Sequence, residues 1–515
     1  MAADASIPLL AELKTSSPST VPHALVIGSG FGGLAAAIRL RCKGYRVTVL
    51  EKLAEPGGRA FVFRQDGFTF DAGPTIVTAP FLLEELWALC GRSMAEDVEL
   101  VPMHPYYRIR FADGSHFDYS GDPQAMREEV ARFCPADVPG YERFMEKAEA
   151  CYRLGFEELG SVAFESLWDL LAAIPNMVRM RAWRSIYAMV CEHLSDPKLR
   201  MVMSFHPLLI GGNPLSVTSA YSLIASLERR YGVHFAMGGT GALIRGLVGL
   251  LESLSVPVLC GHEVKQIIVE QSRARGVELV DGRVIKADLV VSNADTAATY
   301  KHLIAAQHRT HWTDRRIDGG RYSMSLFVWY FGTKRRYEDV PHHMLILGPR
   351  YEGLLRDIFH KHHLAQDFSL YLHRPTATDR RLAPPGCDSF YALSPVPHLD
   401  SGTDWDKHAE TYRCAIESVL EQSVLPGLGQ EVVSSKIVTP LYFQRELNSL
   451  KGAAFGLEPV LLQSAWFRPH NRSEDVNDLY FVGAGTHPGA GIPGVLSSAK
   501  ALDSIMPQAS AWVRA

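Results

Sequence analysis

The chain has 515 residues, of which 47% are hydrophobic and 21% charged, and a formal net charge of −4. This length allows two or three domains, and the composition is that of an ordinary soluble-type chain. A pI near 6.6 without any basic run argues against nucleic acid as a partner. The eight cysteines form no C-x-x-C pair, which argues against a zinc site or a disulfide framework and fits a reducing cytoplasm.

Residues 1–22 predict a disordered tail rather than a signal peptide. They combine Ser, Thr and Pro with Asp4 and Glu12, and they lack a basic n-region and a continuous apolar core. The fold is therefore expected to begin near His23. No later stretch reaches the ~18 consecutive apolar residues of a membrane span. The nearest, Met201 to Leu227, contains no Asp, Glu, Lys or Arg and is interpreted as a buried wall, either of an apolar ligand site or of ordinary core.

The start of the fold predicts a strand, a phosphate-binding turn and a helix. Ala24 to Ile27 is a short apolar strand, residues 28–33 match G-x-G-x-x-G, and Leu34 to Lys43 has the pattern of a helix closed by Gly44. Gly28 permits the tight turn, Gly30 lets the backbone approach a diphosphate, and Gly33 lets the helix pack close to the strand. The positive end of the helix dipole favours an anion there.

An acidic residue follows at the spacing that a dinucleotide site requires. A second strand, Arg46 to Leu50, ends at Glu51, where a carboxylate can bind a ribose hydroxyl. Strand, turn, helix, strand and acid in this register are far more specific than the glycine pattern alone. The sequence therefore predicts a dinucleotide site, rather than a tight helix that merely packs on a sheet.

The rest of the chain alternates between this first unit and other structure. Hairpins are predicted around Asp66-Gly67 and Asp113-Gly114, and a helical region from Asp122 to about Leu227. A helix over Leu243 to Leu254 and strands up to Val291 return the chain to the first sheet. The remaining predicted elements are β-like Ser325 to Phe331, Phe368 to Leu372 and Phe390 to Leu393, and a helix from Trp405 to Gln422.

The segment Trp168 to Val190 has the composition of a membrane-surface helix. Arg179, Arg181 and Arg184 interleave with Met180, Trp183 and other apolar residues. Basic amphipathic helices of this kind lie in membrane interfaces. A helix packed on its own domain with a solvated arginine face is the alternative interpretation.

A second glycine-rich turn lies near the end of the chain. The strand Leu479 to Val482 runs into Gly483-Ala484-Gly485 and, after further glycines, into a helix that begins at Pro493. If the ligand is a flavin, the positive end of this helix can stabilise the negative charge that the ring gains with a hydride. His487 within this turn is expected to bond the backbone. His360, His362 and His363 fit no common metal-ligand spacing, so no metal is predicted.

Several motifs together closely resemble the bacterial phytoene desaturase family of FAD-dependent carotenoid desaturases. The likeness runs from about His23 to Ala499. The motifs are V-I-G-S-G-F-G-G, E-K, P-G-G-R, F-D-A-G-P-T, S-F-H-P-L-L-I-G-G-N-P, S-N-A-D, L-Y-L-H-R-P, S-A-W-F-R-P-H-N and Y-F-V-G-A-G-T-H-P-G-A-G-I-P-G-V. The departures, near Glu270 to Gly276 and Arg336 to Asp339, concern segments expected to be loops.

This resemblance implies an α/β fold with a Rossmann-like FAD-binding domain assembled from separated segments, a mixed-sheet substrate domain and a helical membrane-associating subdomain. The expected division is a tail (1–22), FAD-binding segments (23–105, 228–299, 466–507), the helical region (106–227) and the substrate domain (300–465). Arg59 is expected at the phosphates or ring and Val264 at the adenine. The full set of expected FAD contacts is Gly28, Gly30, Phe31, Gly32, Gly33, Glu51, Lys52, Gly58, Arg59, Pro74, Thr75, Val264, Asn293, Gly483, Ala484, Gly485, Gly491, Ile492, Pro493 and Val495.

The resemblance also implies an activity: stepwise desaturation of phytoene by hydride transfer to FAD, with lycopene preferred over neurosporene as product. The expected partners are phytoene and partly desaturated carotenes, a membrane surface, and oxygen or a membrane quinone as electron acceptor. The expected location is cytoplasmic, on the inner membrane. No general base can be nominated. Alternatives are a later-acting carotenoid desaturase, a flavin-dependent carotenoid isomerase, a flavin amine oxidase and a flavin-carrying binding protein; the uncharged segment favours a hydrocarbon over an amine.

Overall fold

The computed structural model describes residues 21–165 and 167–512, so residues 1–20 of the predicted tail lie outside the described residues. The strands of the described chain are β1 (His23–Ile27), β2 (Arg46–Leu50), β3 (Val62–Gln65), β4 (Phe68–Asp71), β5 (Leu100–Pro102), β6 (Tyr107–Arg110), β7 (His116–Tyr119), β8 (His234–Ala236), β9 (Val258–Leu259), β10 (Val264–Glu270), β11 (Arg273–Leu279), β12 (Val284–Lys286), β13 (Leu289–Ser292), β14 (Ser325–Thr333), β15 (His343–Ile346), β16 (Leu370–His373), β17 (Asp388–Val396), β18 (Val432–Val438) and β19 (Leu479–Phe481).

Twelve helices of eight or more residues lie in the described chain, and most of them bury an apolar face in the core. They are α1 (Phe31–Cys42), α2 (Pro80–Leu89), α3 (Pro123–Phe133), α4 (Val138–Tyr152), α5 (Leu167–Arg179), α6 (Ile186–His193), α7 (Pro197–Ser204), α8 (Leu223–Tyr231), α9 (Thr240–Ser253), α10 (Tyr351–Phe359), α11 (Trp405–Ser423) and α12 (Ile492–Ile505). A π-helical turn, Arg153–Glu158, continues α4. Helix α1 begins three residues before the predicted start, because the two glycines after Phe31 are themselves helical.

The first sheet is wholly parallel and combines distant parts of the chain. Its strand order is β19-β13-β1-β2-β9. Along β1, Ala24 and Val26 face helices α1 and α12, whereas Leu25 and Ile27 face the small antiparallel sheet β10-β11-β12. Both faces are therefore buried, which is why these strands are continuously apolar. The separated-segment architecture expected for the first sheet is confirmed; the domain boundaries remain a prediction.

A seven-stranded mixed sheet forms the second unit. Its order is β18-β14-β17-β16-β15-β6-β7, with only the β15–β6 pair parallel. All nine residues of β14 are buried, because helix α11 covers one face of the sheet and the opposite face contributes to the largest apolar core. The strands β6 and β7, predicted as a hairpin about Asp113-Gly114, join this sheet at its edge.

Two local expectations are wrong. Residues 270–276 are not a loop: β10 and β11 continue to Glu270 and Arg273 and are joined by Gln271 and Ser272, both with positive φ. A two-residue turn with positive φ usually contains Gly or Asn, so the sequence gives no signal for it. Likewise, the arginines after Trp168 do not lie on one helix, because α5 ends at Arg179 and α6 begins at Ile186.

Candidate functional site

One cavity of about 560 Å³ joins the first sheet to the mixed sheet. It is bordered by the carboxyl ends of β1 and β2, where ligands bind in open α/β sheets. All the expected FAD contacts line it except Gly33 and Gly485. The backbone of Gly33 packs on the carbonyl of Gly28, and that of Gly485 packs on Thr296, so both glycines permit close packing behind the cavity wall.

The turn after β1 presents bare backbone to the cavity. Gly28 has a φ of 90°, and Gly30 precedes α1 with no side chain capping the helix. A Cβ at Gly30 would lie 3.1 Å from Nδ2 of Asn293, and one at Gly32 only 2.5 Å from Oδ1 of the same residue. The absence of side chains here leaves the helix N-terminus open to an anion.

Glu51 stands at the end of β2 with its carboxylate fixed. One oxygen accepts hydrogen bonds from the amide and hydroxyl of Ser29, at 2.8 and 2.6 Å, and the other accepts from the amide of Leu53 at 2.9 Å. The side chain is 5% exposed and borders the cavity. These bonds hold an acceptor where a ribose hydroxyl would approach. Its neighbour Lys52 also borders the cavity, and it donates to the carbonyl of Arg445 at 2.7 Å.

The P-G-G-R segment lies against the phosphate-binding turn. The amide of Gly57 donates to the carbonyl of Ser29, and a Cβ at Gly58 would approach Gly30 to 3.7 Å. The half-buried guanidinium of Arg59 donates to the carbonyl of Ala454 at 2.8 Å and to the hydroxyl of Ser449 at 2.9 Å. Burial lowers the pKa of Arg59, and the nearby carboxylate of Asp295 partly opposes that effect.

Asn293 connects the two glycine-rich turns. Its Nδ2 donates to the carbonyl of Gly28 at 3.4 Å, and its Oδ1 would lie 2.6 Å from a Cβ at Gly483. Gly483 in turn is held by the hydroxyl of Ser498 on α12, which accepts from its amide at 2.8 Å. Both helix N-termini therefore border one cavity, together with Ile492, Pro493 and Val495 of α12.

A buried arginine that the sequence analysis did not single out supports the second turn. Arg468 donates to the carbonyls of Ala484 at 2.7 Å and Thr486 at 3.1 Å, and to two further carbonyls. The motif S-A-W-F-R-P-H-N contained it, but only its burial reveals the role. The expectation for His487 is confirmed: its Nε2 donates to the carbonyl of Leu159 at 3.0 Å, and burial lowers its pKa to about 4.

The part of the cavity that faces the mixed sheet is lined mainly by hydrocarbon. Lining side chains come from both sides, among them Leu208, Ile210, Leu326, Val328, Leu345 and Phe455. The uncharged Met201–Leu227 segment is divided between two environments: Phe205, Leu208 and Ile210 border the cavity, whereas Val202 and Met203 are in the core. Part of the segment therefore forms a wall of the cavity and part of it is ordinary core, which are the two interpretations that the sequence allowed.

Tyrosines lie where the two parts of the cavity meet, and the sequence analysis missed them. The hydroxyl of Thr75 bonds those of Tyr391 at 2.9 Å and Tyr371 at 3.2 Å, while Tyr330 donates to the carbonyl of Ala72 at 2.9 Å. Their strands were predicted as β-like, and L-Y-L-H-R-P was recognised as a motif without a role. Strand β17 pairs with β14 on one side and with β16 on the other, which brings the three tyrosines together.

The histidine clusters differ from the pattern in the sequence. His360 faces Asn213 and His362 faces His398, so these side chains diverge. The structure instead brings together His342, His343 and His373, which are buried and distant in sequence. Strand pairing alone places His343 opposite His373.

The donors around the cavity fit a dinucleotide cofactor. Bare amides at one helix N-terminus suit a diphosphate, the fixed Glu51 carboxylate suits a ribose, and the buried Val264 gives an apolar contact for a base. The second helix N-terminus, at α12, lies further along the same cavity. A flavin ring placed there would lie beside the apolar part.

Comparisons with known proteins agree with this arrangement. The chain matches the model of the family "Flavin containing amine oxidoreductase" over residues 31–501. It is 50% identical over 499 residues to the neurosporene-forming phytoene desaturase of Cereibacter sphaeroides, covering 96% of each chain. It is 46% identical over 484 residues to the lycopene-forming phytoene desaturase of a Paracoccus species, covering 94% of this chain and 97% of the relative.

Among solved structures, an oxidoreductase from Methanosarcina mazei has a TM-score of 0.62 at 18% identity, covering 93% of this chain and 98% of its own. Wild-type putrescine oxidase bound to putrescine has a TM-score of 0.61 at 14% identity, covering 94% and 98%. Both likenesses concern the fold. The chain belongs to the flavin containing amine oxidoreductase family and, within it, to the bacterial phytoene desaturases, with FAD as its cofactor.

Proposed function

We propose that this protein introduces double bonds into phytoene, with FAD accepting the hydride. The observation that carries the proposal is the single cavity that joins the bare helix N-termini of the first sheet to the apolar walls of the mixed sheet. A hydrocarbon without polar groups can be recognised only by shape and apolar area, at roughly 25 cal/mol per Å² buried. The lining of the second part supplies such area.

An amine substrate has less support. A charged nitrogen is best recognised by a carboxylate without other partners, and each buried carboxylate of the cavity already accepts at least one hydrogen bond. Glu228 accepts from the hydroxyl of Tyr107 at 2.7 Å and lies 3.3 Å from His206. Asp295 caps a short helix by accepting from the amide of Ala298 at 2.9 Å.

FAD, when bound, supplies the hydride acceptor, so the protein has to orient the substrate and exclude water. The walls at Leu326, Val328 and Leu345 hold a chain of carbons beside the second helix N-terminus. Because these contacts are not directional, a hydrocarbon can slide along the cavity or re-enter from its other end, and successive desaturations can then use one site. We infer that the expected contacts, from Gly28 to Val495, hold the cofactor.

We further propose that the cavity opens toward a membrane surface. Its lining includes Met177 at the end of α5 and Leu461. Adjacent residues in the chain form an exposed apolar surface, which we call the α5 patch: Trp168, Leu171, Ile174, Val178, Trp183 and Leu462, with Trp168 78% and Leu462 70% exposed. Within residues 21–165 and 167–512, no helix is long and apolar enough to cross a membrane.

Such a surface suits insertion into one leaflet, where a lipid-dissolved substrate is available. We propose that the protein lies on the cytoplasmic face of the inner membrane. There, oxygen or a membrane quinone would reoxidise the flavin. The substrate, the enzyme and the electron acceptor would then meet at the same membrane.

The test uses purified FAD-loaded protein with phytoene in liposomes. Under anaerobic conditions we expect phytoene to bleach the flavin absorbance, because the flavin accepts a hydride and cannot be reoxidised. With oxygen or quinone added, chromatography should show loss of phytoene and growth of more conjugated carotenes. The final product, neurosporene or lycopene, is read from the same chromatogram.

Other outcomes distinguish the alternatives. Untouched phytoene together with consumption of a coloured carotene would indicate a later-acting desaturase. Conversion between isomers without flavin bleaching would indicate an isomerase. Flavin bleaching by an amine but not by phytoene would contradict the proposal.

A further inference from the structure

Three buried histidines form a cluster behind the cavity wall. His343 opens β15 and pairs across the sheet with His373 of β16, and their rings stack with centroids 5.3 Å apart. The Nε2 atoms of His342 and His373 are 3.0 Å apart, and Nδ1 of His342 bonds the hydroxyl of Thr378 at 2.6 Å. All three side chains are at least nine-tenths buried.

The cluster reaches the cavity through one side chain. The hydroxyl of Tyr371 bonds Nδ1 of His343 at 2.6 Å. Tyr371 lines the cavity, and its hydroxyl also bonds that of Thr75. Thus a phenol at the junction of the cavity is in direct hydrogen-bond contact with a buried imidazole.

The imidazoles are neutral and incompletely bonded. Burial lowers the pKa of His343 to about 3, and burial together with the neighbouring histidines lowers the pKa of His342 well below its usual value. Nε2 of His343 and Nδ1 of His373 have no hydrogen-bond partner among the described residues. Leaving buried polar atoms unpaired is costly, so the cluster is an unfavourable way to fill a core.

We propose that Tyr371 and His343 accept the proton that each desaturation releases. The inference rests on the proposed function. One C–H bond of the substrate breaks with its electron pair and leaves as hydride to FAD. In the same step the neighbouring C–H bond breaks, its electron pair forms the new π bond, and its proton passes to the oxygen of Tyr371 as the phenolic proton moves to Nδ1 of His343. His343 becomes an imidazolium ion, and His373 and His342 lie beyond it.

A weakly basic imidazole is sufficient for this step. As the hydride leaves, the neighbouring C–H bond becomes a far stronger acid than an imidazolium ion, so the coupled transfer is downhill even to a group with a pKa of about 3. The low pKa also keeps His343 unprotonated, and so able to accept, throughout the neutral range. In addition, it favours release of the proton afterwards.

The experiment compares single-turnover flavin reduction by phytoene in liposomes, without oxygen, in the FAD-loaded protein. We expect Tyr371→Phe and His343→Gln to slow reduction by about 10²-fold, a usual contribution of a positioned acid–base group. A normal solvent deuterium isotope effect in the wild type should be lost in both variants. Tyr412→Phe is the matched control, because this buried tyrosine bonds Ser394 at 2.8 Å and does not border the cavity.

A second readout does not require turnover. In protein labelled with [¹⁵N]histidine, Tyr371→Phe should shift one Nδ1 resonance, and His343→Gln should remove that resonance. If both variants reduce flavin at the wild-type rate with the same isotope effect, the proton-accepting role of Tyr371 and His343 is overturned. If phytoene does not reduce the flavin of the wild-type protein, the proposed function itself is overturned. Stoichiometric zinc in the purified protein would also overturn this proton-accepting role, because it would assign the three histidines to a metal.

Discussion

Asn293 determines how close the two glycine-rich turns can come. Its amide contacts the carbonyl of Gly28, and its oxygen occupies the space beside Gly32 and Gly483. A longer side chain at position 293 would separate the turns, and a shorter one would leave the carbonyl of Gly28 without this donor. One residue from the middle of the chain therefore sets the spacing of two cofactor-binding segments from its ends.

Substitutions at Gly30 and Gly33 should separate cofactor binding from folding. We expect Gly30→Val to fold without FAD, because its φ of −71° is ordinary and the added side chain enters the cavity. Gly33→Ala should instead destabilise the protein by about 1–3 kcal/mol or more, since its Cβ would lie 2.0 Å from the carbonyl oxygen of Gly28. Flavin absorbance per protein and thermal unfolding of the apoprotein measure the two effects. Full flavin occupancy in Gly30→Val would contradict the first.

Residues whose position follows from local sequence were predictable, and those placed by long-range pairing were not. The spacing of Gly28, Gly30 and Glu51 lies within one strand–helix–strand unit, so the sequence alone locates them around one turn. Tyr371 and His343 meet only because β15 and β16 pair in one particular register. No local pattern encodes that register.

Helix α5 shows that prediction from local sequence has the same limit for a whole element. Its composition predicted a basic amphipathic helix, but the chain turns at Arg181, which has a positive φ, and Arg181 and Arg184 both pair with Glu192. Glu192 therefore neutralises one of the three positive charges within the protein. What remains on the surface is the apolar α5 patch, so membrane binding should depend on buried apolar area more than on salt.

Replacing the two exposed tryptophans of the α5 patch should release the protein from membranes. We expect Trp168→Glu with Trp183→Glu to lower flotation with liposomes at least tenfold, because two large apolar groups, each worth about 1.5–3 kcal/mol, are replaced by charges. FAD content should be unchanged. Val280→Glu is the control, since Val280 is 60% exposed but lies at a turn outside the patch. Equal flotation of the double variant and the control would indicate that another surface contacts the membrane.

For the whole molecule, several buried histidines dominate the response to acid, and Asp71, whose pKa burial raises to about 7, opposes them by about one proton. Burial lowers the pKa of His23, His398 and His487 to about 4 and that of His343 to about 3. The folded state thus binds fewer protons than the unfolded state between these values and 6.5. This contribution to the free energy of unfolding is present above pH 6.5 and is lost as the pH falls toward 4.

We therefore expect the unfolding temperature to fall steeply between pH 6.5 and 5, a range in which ordinary carboxylates are still ionised. A fall in pKa from 6.5 to about 4, as at His23, corresponds to roughly 3 kcal/mol. Thermal unfolding across this pH range measures the slope, and His23→Gln should reduce it by about one proton. A flat profile in the wild type would contradict this assignment.

The strand order of the first sheet has a consequence for synthesis of the protein. Strand β19 begins at Leu479 and α12, which covers β1 through α1, ends at Ile505, so nearly all of the chain leaves the ribosome before this sheet can close. Until then the second glycine-rich turn is missing, so only part of the FAD-binding surface is present. Tight FAD binding is therefore expected only after β19 and α12 have been synthesised, because both contribute to the cavity wall.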